Sequence, residues 1–94
     1  MIFLALSEAA FMTGLERNAD VVWQATYAPL FAHVEGWQWR PDLIWFDNLQ
    51  SVRTVNWYVQ MLYATNRGTN VLRLTEGGKH VEGKEQIYAS AVYD

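Results

Sequence analysis

Apolar positions recur at helical spacing through residues 2–17, IFLALSEAAFMTGLER, where Leu4, Phe11 and Leu15 fall at i, i+7 and i+11 on one face. Ala9, Ala10 and Gly14 leave room for a neighbouring element, and Asn18 suits the left-handed turn that ends a helix. The pattern then changes. Residues 20–26, DVVWQAT, place paired Val and a Trp in a short apolar run, the signature of a buried strand. A helix feeding a buried strand through a short turn predicts an αβ unit of a parallel sheet.

Periodicity fades over 27–42, where Pro29, Gly36 and Pro41 predict a long loop. LIWF, 43–46, reads as a short strand-like return. A second helix fits 55–66, with Thr54 as N-cap, Gly68 placed for a C′ glycine, and Val55, Tyr58, Val59 and Leu62 as its apolar stripe. NVLRL, 70–74, predicts a strand, and 76–86 a polar turn region around Gly77-Gly78. IYASAVY, 87–93, alternates large and small residues like a sandwich strand. The order is helix, strand, long loop, helix, strand, turn, strand, and it does not close on itself. A buried parallel strand needs parallel neighbours on both sides, and none is predicted. The chain therefore reads as a cut-out of a larger fold.

Composition narrows the classes. Ninety-four residues allow one small domain at most. There are no cysteines, so neither disulfides nor Cys-based metal sites support the chain. His33 and His80 lie far apart with no ligand spacing, so no metal site is expected. A net charge of −3 with scattered basic residues argues against nucleic-acid partners and against a polybasic membrane patch. No run reaches the ~18 apolar residues of a membrane span. The start, MIFLALSEAAF, has no basic n-region and is broken by Ser7 and Glu8, so it reads as a helix rather than a signal peptide. Five Trp in a short chain must be buried, used for binding, or covered by other protein.

Three strings carry a resemblance. SEAAFMTGLERNADVV, then YAPLFAHVEGWQWRPDLIWFDN, then NWYVQMLYATNRGTNVL resemble the C-terminal part of the α-L-arabinofuranosidases of glycoside hydrolase family 51. The similarity runs over roughly residues 5–72 and fades over 73–94. It implies an α/β fragment: the last helix–strand–helix of a (β/α)8 barrel over 1–68, then the first strands of a C-terminal β-sandwich over 69–94. Residues 2–18 would be the seventh barrel helix, 21–26 the eighth strand, 27–47 the loop after it, and 54–67 the eighth helix. The implied activity is retaining exo-hydrolysis of terminal α-L-arabinofuranosyl groups from arabinoxylan or arabinan. Retention needs two carboxyl groups about 5–5.5 Å apart. In the family both are glutamates on earlier strands, and neither motif is present here. No catalytic residue is therefore assigned, and the chain alone is expected to be inactive. No cofactor is implied. The implied partner is an arabinose-containing polysaccharide or oligosaccharide, and family members are often homo-oligomeric. Neither the polysaccharide preference nor the localisation is legible.

Candidate residues follow from this placement. Glu8 lies within the first helix, and barrel helices face away from the active-site mouth, so it reads as structural or solvent-facing. Glu16, Arg17 and Asp20 read as a solvated turn. Glu35 lies in the loop on the side where active sites sit, but it lacks a matching partner among Asp42 and Asp47. Trp37 and Trp39 alternate, so one can stack on a sugar while the other packs inward. Tyr27, ending the predicted strand, would line the site mouth. These three, Tyr27, Trp37 and Trp39, are the candidate substrate-binding residues. Pro29 replaces a position that is polar in some members and cannot donate a hydrogen bond. Trp23 is expected in the barrel core, and Trp45 and Trp57 in packing. His33 reads as a hydrogen-bonded loop residue with no partner identifiable, and His80 as solvated. Two other classes stay open: a stand-alone module stacking sugars on Trp37 and Trp39, and a structural subunit complementing a separately encoded barrel.

Overall fold

The computed structural model describes residues 2–39, 42–81, 83 and 87–94. Helix α1 spans Ile2–Arg17 and ends on a basic residue, which favours the negative end of its dipole. Helix α2 spans Val55–Thr65. Its N-cap is Thr54, whose extended backbone lets the hydroxyl accept from the Trp57 amide at 3.3 Å. Gly68 does not act as a C′ glycine. Asn66 caps the helix, and Gly68 instead lies where an added Cβ would sit 2.7 Å from the Tyr93 nitrogen. Glycine is required there by close backbone approach, not by helix termination.

Between the helices lies a small mixed sheet. Strand β1, Phe31–His33, runs parallel to β2, Ile44–Phe46, which pairs antiparallel with β3, Ser51–Arg53. The predicted return at 43–46 is thus a strand. The expected loop of 27–42 conceals β1, a three-residue strand too short for any period to reveal. It follows a cis Ala28–Pro29 bond. The predicted strand at 20–26 does not form; a turn on Asn18 takes the Val21 and Val22 amides, and residues 22–26 join no ladder. Its composition signals burial in a sheet, but a strand exists only where neighbours take its backbone groups.

The C-terminal third holds two hairpin-like pairs. Strand β4, Asn70–Leu72, pairs antiparallel with β7, Ala91–Tyr93. Strand β5, Thr75–Glu76, pairs with β6, Lys79–His80. Gly77 and Gly78 connect β5 and β6 with φ of 58° and 82°, the two positive values a type I′ turn demands. The turn expected over 76–86 is therefore a hairpin as far as His80; Glu82 and 84–86 lie outside the described residues. The strand expected over 87–93 is limited to 91–93, because β4 offers only three partners.

The helices meet through an unusual seam. Asn56 donates to Glu8 at 3.3 Å, the Gln60 amide reaches Met12 sulfur at 3.9 Å, and the Tyr63 hydroxyl donates to the Ala9 carbonyl at 3.0 Å. Most of the predicted apolar stripes lies outside it, although Leu15 and Val59 are half-buried. Leu4, Phe11, Val55, Tyr58 and Leu62 are all exposed, with Phe3 and Leu6 beside them. Periodicity identified both helices, but the seam between them is mixed: Ala5, Thr13 and Asn56 are buried, and side chains of Asn56, Gln60 and Tyr63 cross it by hydrogen bonds. Trp23, expected in a core, is 93 % exposed. The buried apolar residues among those described are Ala5, Ala32 and Leu43, of which two are alanine.

Such a core is small for the chain. The accessible surface is 7410 Å², against about 5,600 Å² expected for a folded monomer of this mass. The radius of gyration is 15.8 Å, against roughly 12 Å for a compact domain of this length. Apolar helix faces and a tryptophan left in water are surfaces shaped to be covered.

Candidate functional site

The loop His33–Trp39 is built by local bonds. Gly36 N–H donates to the His33 carbonyl at 3.1 Å, closing a turn, and Glu35 N–H donates to His33 Nδ1 at 3.1 Å. Val34 N–H continues the sheet by donating to the Phe46 carbonyl at 3.0 Å. On the far side of the imidazole, Nε2 meets Asn48 Oδ1 at 3.1 Å. The ring stands edge-on to Phe46, 5.1 Å between centroids, and Phe46 meets Phe31 likewise at 6.1 Å. The sequence offered no partner for His33; the β2–β3 turn supplies Asn48, fifteen residues on.

Trp37 and Trp39 have different surroundings, but not by strand alternation: two residues apart in an extended run share a face, and residues 34–36 form a turn instead. Trp37 packs edge-to-face on Trp45 at 5.9 Å between centroids and is 45 % exposed. Trp39 is 62 % exposed. Trp45 is half-buried in β2, as a packing residue should be. Trp57 is also half-buried, with the Arg53 guanidinium 4.5 Å above its ring.

Tyr27 is half-buried and lies within electrostatic reach of Glu8 and Asp42. Burial raises its phenol pKa, and the carboxylates of Glu8 and Asp42 raise it further. Asp42 is 1 % exposed and Asn56 2 %, and each holds one oxygen with no hydrogen-bond partner. Glu8 is half-buried and accepts from the Asn56 amide, which gives it a structural contact. The Glu8–Asn56 bond was invisible in the sequence, because its partners lie 48 residues apart and only the fold joins them.

The candidate carboxylates among the described residues have separate surroundings. Glu35 is exposed in the turn, and Asp42 is enclosed. Asp47 accepts from the amides of Leu49 at 2.8 Å and Gln50 at 2.7 Å, which holds its carboxyl below the usual range. Glu16 and Arg17, expected in a solvated turn, are engaged instead: Glu16 accepts from the Ser90 hydroxyl at 2.7 Å, and Arg17 donates to the Ala89 carbonyl at 3.1 Å. Asp20 and His80 are exposed. Among the described residues no group of three or more His, Cys, Asp or Glu is placed to hold a metal, and no helix is long and apolar enough to cross a membrane.

Comparison with known proteins adds independent findings. Residues 2–88 match the family described as α-L-arabinofuranosidase C-terminal domain. An extracellular exo-α-L-arabinofuranosidase of Streptomyces chartreusis is 60 % identical over 67 residues, 71 % of this chain and 8 % of that protein. α-L-Arabinofuranosidase 1 of Arabidopsis thaliana is 39 % identical over 91 residues, 97 % of this chain and 13 % of that protein. The arabinose-bound structure of MgGH51 α-L-arabinofuranosidase superposes with a TM-score of 0.73 at 44 % identity, over 79 % of this chain and 12 % of that one. The chain spans about a tenth of the length of these relatives.

Proposed function

Since the chain belongs to the α-L-arabinofuranosidase C-terminal domain family, we propose that it works as one part of a glycoside hydrolase that removes terminal α-L-arabinofuranosyl groups from arabinoxylan or arabinan. The reaction proceeds with retention, through two carboxyl groups that this chain does not supply. Residues 1–68 complete a (β/α)8 barrel, and 69–94 open the β-sandwich that follows. The exposed apolar faces of α1 and α2 carry this reading: Phe3, Leu6, Phe11, Tyr58 and Leu62 face outward while hydrogen bonds cross the seam. Barrel helices need this arrangement, because their apolar stripes rest on strands and their flanks on each other. Val21, Val22 and Trp23 gain ladder partners only beside neighbouring strands.

In that assembly the tryptophan loop borders the sugar. Trp39 offers an open aromatic face to a sugar ring, and Trp37 anchors the loop on Trp45. Tyr27 contributes a neutral phenol, a donor suited to a sugar hydroxyl. The occupant is an arabinose-containing oligosaccharide or polysaccharide.

The test is a chimera in which this chain replaces the segment of the Arabidopsis relative that matches it over 91 residues. It should hydrolyse an aryl α-L-arabinofuranoside with retention, and Trp39→Ala should raise KM about tenfold, the loss expected for one stacked ring. The chain alone should show no turnover. Turnover by the chain alone that disappears with Glu35→Gln would overturn this reading.

A further inference from the structure

His33 occupies an uncommon position for a loop histidine. Its Nδ1 accepts the Glu35 amide proton, so that nitrogen carries a lone pair. The ring proton must then sit on Nε2, which donates to Asn48 Oδ1. One neutral tautomer therefore satisfies both partners, and it also fixes which way the Asn48 amide points. The two partners lie in different turns. Glu35 belongs to the turn closed by Gly36 N–H on the His33 carbonyl, and Asn48 to the 47–50 turn that Asp47 holds through the Leu49 and Gln50 amides. Phe46 closes the third side of the ring at 5.1 Å. One imidazole thus spans two turns that no backbone ladder joins beyond Val34.

We propose that His33 is the positioning residue of the tryptophan loop, stapling residues 34–39 to the 47–50 turn and so fixing where Trp39 meets a sugar ring. Trp37 supplies the second anchor through Trp45. Between these anchors and Trp39 lie few residues, so loss of the staple moves the exposed indole. This rests on the sugar-stacking role given to Trp39 above. His33 itself touches no reacting atom.

Three variants separate the bonds. His33→Asn keeps an acceptor at the place of Nδ1, His33→Gln keeps a donor towards Asn48, and His33→Ala keeps neither. Amide exchange of the chain is the first readout. The Glu35 amide should exchange about tenfold faster in His33→Ala and His33→Gln, and within about twofold of the unaltered chain in His33→Asn, as one lost hydrogen bond implies. The KM of the chimera is the second. His33→Ala should raise it about as far as Trp39→Ala with kcat little changed, and His33→Asn should restore it. Glu35 exchange that is unprotected in the unaltered chain, or equal in all variants, overturns the staple. A KM that responds to Trp39→Ala but not to His33→Ala overturns the positioning role while leaving the sugar site intact. A chimera active and indifferent to Trp39→Ala overturns the sugar site itself, and exchange then decides the staple alone.

Discussion

The Ser90 hydroxyl donates to Glu16 Oε1 at 2.7 Å, joining the end of α1 to the last strand across 74 residues of sequence. The Arg17 guanidinium acts beside it, donating to the Ala89 carbonyl and to Thr13. Together they attach the end of α1 to the segment that leads into β7. Ser90→Ala should weaken this attachment by about 1 kcal/mol, the usual net worth of a hydrogen bond. Amide exchange over 91–93 should then rise roughly fivefold, with α1 exchange unchanged.

Gly68 has a different kind of importance. A Cβ there would meet Tyr93 N at 2.7 Å, Tyr93 O at 2.8 Å and the Val92 Cβ at 2.9 Å. Two of these are backbone atoms that cannot swing aside. Gly68→Ala should push β7 away from β4 at a cost of about 1–3 kcal/mol. The Thr69 amide, which donates to the Tyr93 carbonyl at 2.9 Å, should lose its exchange protection. Gly36→Ala, where the added carbon meets nothing within 4 Å, is the matched control.

Acid should open the β2–β3 turn only at low pH. Asp47 has a lowered pKa because two backbone amides bind its carboxylate, with burial opposing and His33 assisting. A lowered folded value means the contribution is present above the unfolded value of 3.8 and is lost as pH falls through the folded one. Exchange-sensitive spectra of Leu49 and Gln50 should change only below that range. Asp47→Asn should abolish the pH dependence.

Alkali should act on two tyrosines. The Tyr27 phenol is raised by burial and by Glu8 and Asp42, and the Tyr63 phenol by burial and by Glu16. Both phenols are protonated in either state below pH 10.0, so they add no pH dependence there. Above it the unfolded chain ionises first, and stability is lost as pH rises. Phenolate absorbance should show two late-titrating groups among the five tyrosines. Tyr27→Phe and Tyr63→Phe should each remove one.

Local rules made both helices legible, because period, cap and turn chemistry act within a few residues. Leu4 and Phe11, Thr54, and Gly77-Gly78 each announced a feature that formed. The sequence also carried the family, through strings long enough to be specific. Tertiary structure decided the rest. It chose which helix face turned inward, since an apolar stripe reports only that something covers it. It withheld a strand from Val21–Thr26 and granted one to Phe31–His33, because pairing depends on neighbours and not on composition. It joined Glu8 to Asn56 and His33 to Asn48, since a hydrogen bond depends on distance in space and no spacing along the chain encodes it.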